Sequence, residues 1–81
     1  MGIKERHLLA MWYAMAVKLQ SINEKAGNID PAPTAGEVGR AMGMTRQTAK
    51  KYLLRLVGEG YITPHEYLEK NGVSGTRYHV D

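Results

Sequence analysis

The strongest constraint on the fold is a pair of helix-start signals, one at Thr34 and one at Thr45. Thr34 begins a capping box, in which its hydroxyl accepts a hydrogen bond from the first turn and Glu37 reaches back. Thr45 can cap a second helix in the same way. Between them, Gly43 favours the left-handed conformation that ends a helix. The sequence therefore predicts two helices joined by a turn of about three residues.

The first of these helices, over residues 34–42, is expected to pack closely. Its inward side chains are predicted to be apolar and to continue just beyond the turn: Val38, Ala41, Met42 and Met44. Glycines at positions 36 and 39 each cost about 1 kcal/mol of helix propensity relative to alanine. Their presence indicates close helix packing or close approach to another surface.

The second helix, over residues 45–57, is predicted to have one apolar and one basic face. The apolar residues recur at helical spacing: Ala49, Leu53 and Leu56. The opposite face is rich in hydrogen-bond donors in its first two turns: Arg46, Gln47, Lys50 and Lys51. Leu54 projects near this polar face, and Gly60 closes the segment.

A long N-terminal helix is predicted over residues 3–22. One apolar stripe follows helical spacing through Leu8, Trp12, Met15, Leu19 and Ile22. A second apolar set makes the middle of the helix apolar on almost every side: Leu9, Tyr13, Ala16 and Val17. Since one small core has difficulty covering a helix all round, we expect this second face to be buried against another copy of the chain. The alternative is that the chain's own loop and hairpin cover it.

The remaining segments are predicted to be extended or irregular. Residues 23–33 form a loop that ends in a short extended piece, because residues before proline avoid the helical region. Strands are expected over residues 61–68 and 76–80, around an Asn71-Gly72 turn. Pro64 lacks a ladder donor and indicates an edge or a bulge. The predicted fold is a single α+β domain over residues 1–81, mostly helical, with three helices and a C-terminal hairpin over residues 61–80.

The charge distribution indicates an anionic partner. The formal net charge is only +3, but the span from Val38 to Gly58 contains five cations and no acid: Arg40, Arg46, Lys50, Lys51 and Arg55. A basic patch centred on one helix is the electrostatic footprint expected for phosphate.

Composition argues against several other classes of protein. The chain has no cysteine, which excludes disulfides and thiolate metal sites. The three histidines lack the spacing of a metal site, although His65 and His79 can face each other across the hairpin. No catalytic motif stands out, so we expect neither an enzyme nor a cofactor. The apolar run from Leu8 to Val17 is too short to span a bilayer and does not form a signal peptide, which favours a cytoplasmic protein.

Taken in order, the Thr34 capping box, the Gly43 turn, the Thr45 cap, the apolar residues of the second helix, Gly60 and the hairpin resemble the winged helix-turn-helix of bacterial and archaeal transcription regulators. The resemblance covers roughly residues 34–80. It implies binding to double-stranded DNA, with the helix over 45–57 as the recognition helix in the major groove and residues 69–77 as the wing. The long first helix is compatible with it and would form the homodimer.

If the resemblance holds, three groups of residues contact DNA. Base edges would be met by Arg46, Gln47, Lys50 and Lys51, because arginine can bond guanine and glutamine can bond adenine. The DNA backbone would be contacted by Thr45, Thr48, Tyr52, Arg55 and Arg40. Lys70 and Arg77, which flank the hairpin turn, would contact the minor groove or its phosphates.

Three questions stay open at the level of sequence. Leu54 can touch a thymine methyl, pack under the wing or join a dimer contact. The domain can also serve as a protein-interaction module that docks through its apolar first helix, since a fold alone does not settle function. Single-stranded nucleic acid is a third possible partner, because exposed tyrosines can stack on bases.

Overall fold

The computed structural model describes residues 3–68, 72 and 74–81. Three helices come first and two strands follow: α1 (Ile3–Lys25), α2 (Ala35–Met42), α3 (Arg46–Gly58), β1 (Ile62–Leu68) and β2 (Ser74–Val80). The strands pair antiparallel in a two-stranded sheet. The predicted α+β, mostly helical composition is confirmed. The first helix is longer than predicted by one turn, and the second strand begins two residues earlier.

Both predicted caps are present. The Thr34 hydroxyl oxygen accepts from the Glu37 backbone N–H at 3.2 Å and donates to the Glu37 carboxylate at 3.3 Å. Glu37 therefore reaches back as the capping box requires, although its partner is the hydroxyl rather than the backbone. The Thr45 hydroxyl oxygen accepts from the Thr48 backbone N–H at 3.2 Å. These bonds satisfy backbone donors that have no partner within their own helix.

Glycines end α2 and α3 in the same manner. Gly43 has φ 70° and Gly60 has φ 82°, the left-handed region that costs glycine no side-chain clash. After Gly43 the Met44 N–H donates back to the Gly39 carbonyl at 2.8 Å, and after Gly60 an equivalent bond closes α3. The chain is thus free to reverse direction at the end of each helix.

Gly39 of α2 lies close to the turn before α3 and to the first part of that helix. A Cβ at this position would lie 3.0 Å from the Thr45 carbonyl oxygen, 3.1 Å from that of Met44 and 3.2 Å from Ala49 Cβ. At Gly36 the nearest atom to such a Cβ would be Thr34 Oγ1, at 3.8 Å. The prediction of close helix packing is therefore confirmed for Gly39 and not for Gly36.

The core lies among the three helices and the start of the hairpin. Its buried side chains come from every element: Leu9, Trp12, Ala35, Val38, Ala49, Leu53, Leu56, Ile62 and Tyr78. Two inward predictions are wrong. Met44 is about half exposed, because the chain reverses at Gly43 and carries its side chain away from the core, and Ala41 lies on the exposed side of α2.

The inward face of α1 lies between the two stripes that the sequence suggested. Its buried residues are Leu9, Trp12, Ala16 and Gln20, whereas Ile22 of the predicted core stripe is half exposed. The predicted dimer face is therefore wrong for Leu9 and Ala16, which the chain's own α2, α3 and β2 cover. Tyr13 is half-buried and Val17 remains exposed. No helix in the described part of the chain is long and apolar enough to cross a lipid bilayer.

Strand β2 lies between β1 and the extended piece before α2. Its pairing with β1 is continuous from Ile62↔Val80 to Leu68↔Ser74. On its other side, the Tyr78 N–H donates to the Pro33 carbonyl at 2.8 Å, and an isolated bridge joins Thr34 to Arg77. Pro64 therefore occupies an edge strand. It makes no bulge, because the pairing of β1 with β2 is unbroken.

Gln20 ties the end of β2 to α1, a contact that the sequence did not predict. Its side-chain amide donates to the Val80 carbonyl at 2.9 Å, and its carbonyl oxygen accepts from the Val80 N–H at 2.7 Å. The buried amide thus completes both backbone hydrogen-bonding groups of the last strand residue.

We expect Gly39→Ala to destabilise the protein by about 1–3 kcal/mol, because its methyl group has two carbonyl oxygens for neighbours and α2 must shift away from α3. Gly36→Ala is the matched control. It should leave stability unchanged or raise it by up to about 1 kcal/mol through helix propensity. Urea unfolding followed by Trp12 fluorescence measures both, and equal midpoints for the two variants would contradict the packing role of Gly39.

Candidate functional site

The exposed side of α3 presents the four residues predicted for base contacts. Arg46, Gln47, Lys50 and Lys51 are all solvent-exposed, and within the described residues none of them forms an ion pair. The Lys51 ammonium lies 5.8 Å from the centre of the Tyr52 ring. The structure therefore leaves these donors available to an external partner.

Helical geometry divides these residues into two rows. At 3.6 residues per turn, Gln47, Lys51 and Leu54 follow one another up the outermost line of α3. Leu54 is 49% exposed on that line. Arg46 and Lys50 form a second row, which lies on the side of the helix that faces the hairpin. The sequence prediction grouped all four polar residues together and could not show which row faces the hairpin.

A cleft of about 420 Å³ separates α3 from the hairpin. Arg46 and Lys50 line one side of it, the start of α2 closes one end, and the hairpin forms the opposite wall, including Glu66, Tyr67 and Tyr78. Two cations and one carboxylate give the cleft a positive balance. Gly36 also lines it.

Tyr78 forms the buried part of this cleft wall. Burial raises the pKa of the Tyr78 phenol above 10.0, and the positive charge of Arg46 lowers it in part. The phenol is thus a neutral group at physiological pH that lies within the electric field of a cleft cation.

The threonines at the start of α3 bond to each other. The Thr45 hydroxyl donates to Thr48 Oγ1 at 3.0 Å while it accepts from the Thr48 N–H. Both threonines were predicted to contact the DNA backbone, and both lie at the end of α3 nearest the exposed cations. Arg40, another predicted backbone contact, is exposed in the last turn of α2.

Arg55 and Tyr52 are engaged inside the protein. The Arg55 guanidinium is paired with the Glu5 carboxylate of α1. The Tyr52 ring stacks on Trp12, with ring centres 5.2 Å apart and planes 17° apart. Both residues therefore join α3 to α1, and neither belongs to the exposed row of donors.

Arg77 also has partners of its own. Its guanidinium donates to the Ala32 carbonyl at 2.9 Å, lies 3.4 Å from the Glu37 carboxylate and lies 5.2 Å from the centre of the Tyr67 ring. These contacts fasten the hairpin to α2 from the middle of β2. Lys70, the other residue predicted for the hairpin, lies outside the described residues, as does Asn71.

The histidines of the hairpin stack without forming a metal site. His65 and His79 have ring centres 5.3 Å apart and planes at 18°, and His79 Nδ1 lies 3.4 Å from the Asp81 carboxylate. The predicted cross-strand contact is confirmed. Among the residues that the structure describes, no group of three or more His, Cys, Asp or Glu side chains is arranged to hold a metal ion.

The chain matches no protein-family model, no curated protein and no solved structure.

We expect the stability of the protein to fall as pH rises above about 10, because the unfolded chain then loses the Tyr78 proton that the folded chain retains. The folded state binds more protons in that range, so raising the pH favours unfolding. Tyr78→Phe should remove this component and flatten the curve. Urea midpoints between about pH 8 and pH 11 test it, with Tyr61→Phe as the control for loss of an exposed hydroxyl. Identical pH dependence in wild type and Tyr78→Phe would contradict it.

Proposed function

We propose that this chain is a winged helix-turn-helix protein that binds double-stranded DNA sequence-specifically and acts as a small cytoplasmic transcription regulator without enzymatic activity. In this proposal α3 is the recognition helix and the β1–β2 hairpin is the wing. The observation that carries it is the exposed double row of donors on a capped helix, within a span that contains five cations and no acid.

The dimensions of α3 support the proposal. The helix has 13 residues and is therefore about 20 Å long. The major groove of B-DNA is about 12 Å wide and accommodates an α-helix. Since α3 packs through only one face on the core, its opposite side is free to enter such a groove.

The order of elements supports the wing. The extended piece that bridges Thr34 to Arg77 extends the sheet beside β2, and the hairpin follows α3 directly. The cleft between α3 and the hairpin is lined by Arg46 and Lys50. A phosphate strand that follows the groove edge would meet these two cations on one side and the wing on the other.

The two rows of α3 suggest different tasks. Gln47 and Lys51, on the outermost line, are best placed for base edges, where glutamine pairs with adenine and lysine with guanine. Arg46 and Lys50 can approach either a guanine or the adjoining phosphates. Leu54 continues the outermost line and offers an apolar surface to a thymine methyl.

The ion pairs within the protein change which residues we propose as contacts to the DNA backbone. Thr45, Thr48 and Arg40 remain candidates, because they lie near the exposed rows. Arg55 and Arg77 already hold carboxylate partners, so we propose that they position the helices and the wing. A homodimer remains part of the proposal, with an interface that keeps Tyr13 and Val17 of the predicted face, whereas Leu9 and Ala16 are buried within the chain.

We expect labelled duplexes selected from a random pool to bind with an affinity that falls steeply with salt, because each phosphate contact releases counterions. Lys50→Gln should reduce the slope of log K against log salt by about one, because Lys50 lines the cleft proposed to hold a phosphate strand. The double variant Lys50→Glu with Lys51→Glu should abolish binding. Arg55→Gln is the matched control and should keep the wild-type slope. Fluorescence anisotropy provides the measurement.

Binding that is absent at low salt, or insensitive to salt, would contradict DNA recognition. A preference for single-stranded DNA or RNA in a competition assay would show that the partner is another nucleic acid and not duplex DNA. Circular dichroism of each variant checks that the charge changes leave the fold intact.

We expect Leu54 to read the thymine methyl group. Replacing one thymine of the selected site by uracil should weaken wild-type binding by about fourfold, the value of one buried methyl group. Leu54→Ala should bind both duplexes alike. Met11→Ala changes an equally exposed apolar residue of α1 and should preserve the preference for thymine. If no thymine position responds to uracil in the wild type, the role of Leu54 is wrong.

A further inference from the structure

A second groove lies away from the exposed rows of α3. It has a volume of about 590 Å³ and runs between the first half of α1, the end of α3 and the residues that enter β1. Its floor is apolar, with Leu9 and Leu56 at the base and the rings of Tyr13 and Tyr61 along one wall. The two rings contact each other with centres 5.7 Å apart.

Large apolar side chains in and beside the groove remain exposed to solvent. Tyr61 is 56% exposed although it packs on Tyr13. Val17, one turn along α1 from Tyr13, is 40% exposed and continues the apolar surface. Aromatic side chains that are half covered in this way are typical of interface centres.

Two opposite charges border the same groove. Arg6 lies on its α1 side and Glu59 at the end of α3. Within the described residues neither Arg6 nor Glu59 forms an ion pair, whereas Arg55 of α3 and Glu5 of α1 pair with each other. A surface with one cation and one anion beside an apolar centre is complementary to itself under a two-fold axis, because each charge then meets its opposite on the other copy.

We propose that this groove is the interface of a homodimer in which Arg6 of each subunit pairs with Glu59 of the other. A small apolar ligand would need no matched pair of charges at the rim, whereas an isologous dimer uses both charges twice. Tyr61 and Tyr13 of the two subunits fill the centre, and Val17 extends the contact along α1.

The available surface is large enough for this assembly. A stable interface buries about 800 Å² on each partner. The isolated chain exposes 5590 Å², so the dimer would cover about a seventh of it. The 23 residues of α1 extend over about 35 Å and provide a contact of the required length.

The proposed interface leaves the DNA candidates uncovered. It lies against the last turn of α3, whereas Arg46, Gln47, Lys50 and Lys51 are in the first two turns. If the proposed function holds, the dimer presents two recognition helices to half-sites one helical turn of DNA apart, about 34 Å.

Analytical ultracentrifugation of the full chain without DNA tests the interface. Wild type should show a dimer of the 9.0 kDa chain at tens of micromolar, in rapid exchange with monomer. Arg6→Glu and Glu59→Arg should each raise the dimer dissociation constant by roughly tenfold or more, because like charges then face each other twice. The double variant restores opposite charges and should return to within about threefold of wild type. Lys4→Glu, on another side of α1, is the matched control and should dimerise as wild type does.

A wild-type protein that stays monomeric at about 100 μM would overturn the proposal, and so would single variants that dimerise normally or a double variant that is not rescued. Binding of an apolar dye by a monomeric wild type, lost in Tyr61→Ala, would assign the groove to a small ligand instead. Since DNA is absent from this assay, a monomer that still binds duplex contradicts only the interface, and a dimer that binds no duplex contradicts only the proposed function.

Discussion

The contact between the Gly39 backbone and the carbonyl groups of Met44 and Thr45 sets how closely α2 and α3 can approach. Any side chain at position 39 would separate the two helices, because carbonyl oxygens in a tight turn cannot move away as a flexible side chain can. This contact limits the orientation of α3, and the buried stripe of Ala49, Leu53 and Leu56 determines which residues the helix exposes. The double row of Arg46, Gln47, Lys50 and Lys51 is therefore a consequence of helix packing as much as of sequence.

Local features could be predicted because neighbouring residues determine them. The Thr34 and Thr45 caps, the left-handed Gly43 and the edge position of Pro64 each depend on a few adjacent residues. Contacts between distant residues could not be predicted. Arg55 pairs with Glu5 and Gln20 with Val80, and both pairs form only after the helices and the hairpin have packed together. The error at Met44 has the same origin, since its exposure depends on the direction that the chain takes after Gly43.

The basic span divides into two kinds of cation once the fold is known. Arg55, within the span, and Arg77, outside it, have carboxylate partners and connect secondary-structure elements, whereas the cations at the start of α3 face solvent. A count of charges along the sequence treats these residues alike. A residue with a carboxylate partner loses that contact when it turns toward a phosphate, which makes it a weaker ligand than an exposed lysine. The candidate site is accordingly smaller than the charge pattern suggested, and it is concentrated on one end of one helix.

Pro64 has a consequence for how the protein behaves at high concentration. Strand β1 is the outer strand of the sheet, so its free side offers backbone groups to any other extended chain. Proline has no amide hydrogen, and its ring obstructs the approach of another strand in the first half of β1. The hairpin can therefore extend into solvent without becoming a template for intermolecular β-sheet growth, and aggregation is opposed at the place where this small fold is most open to it.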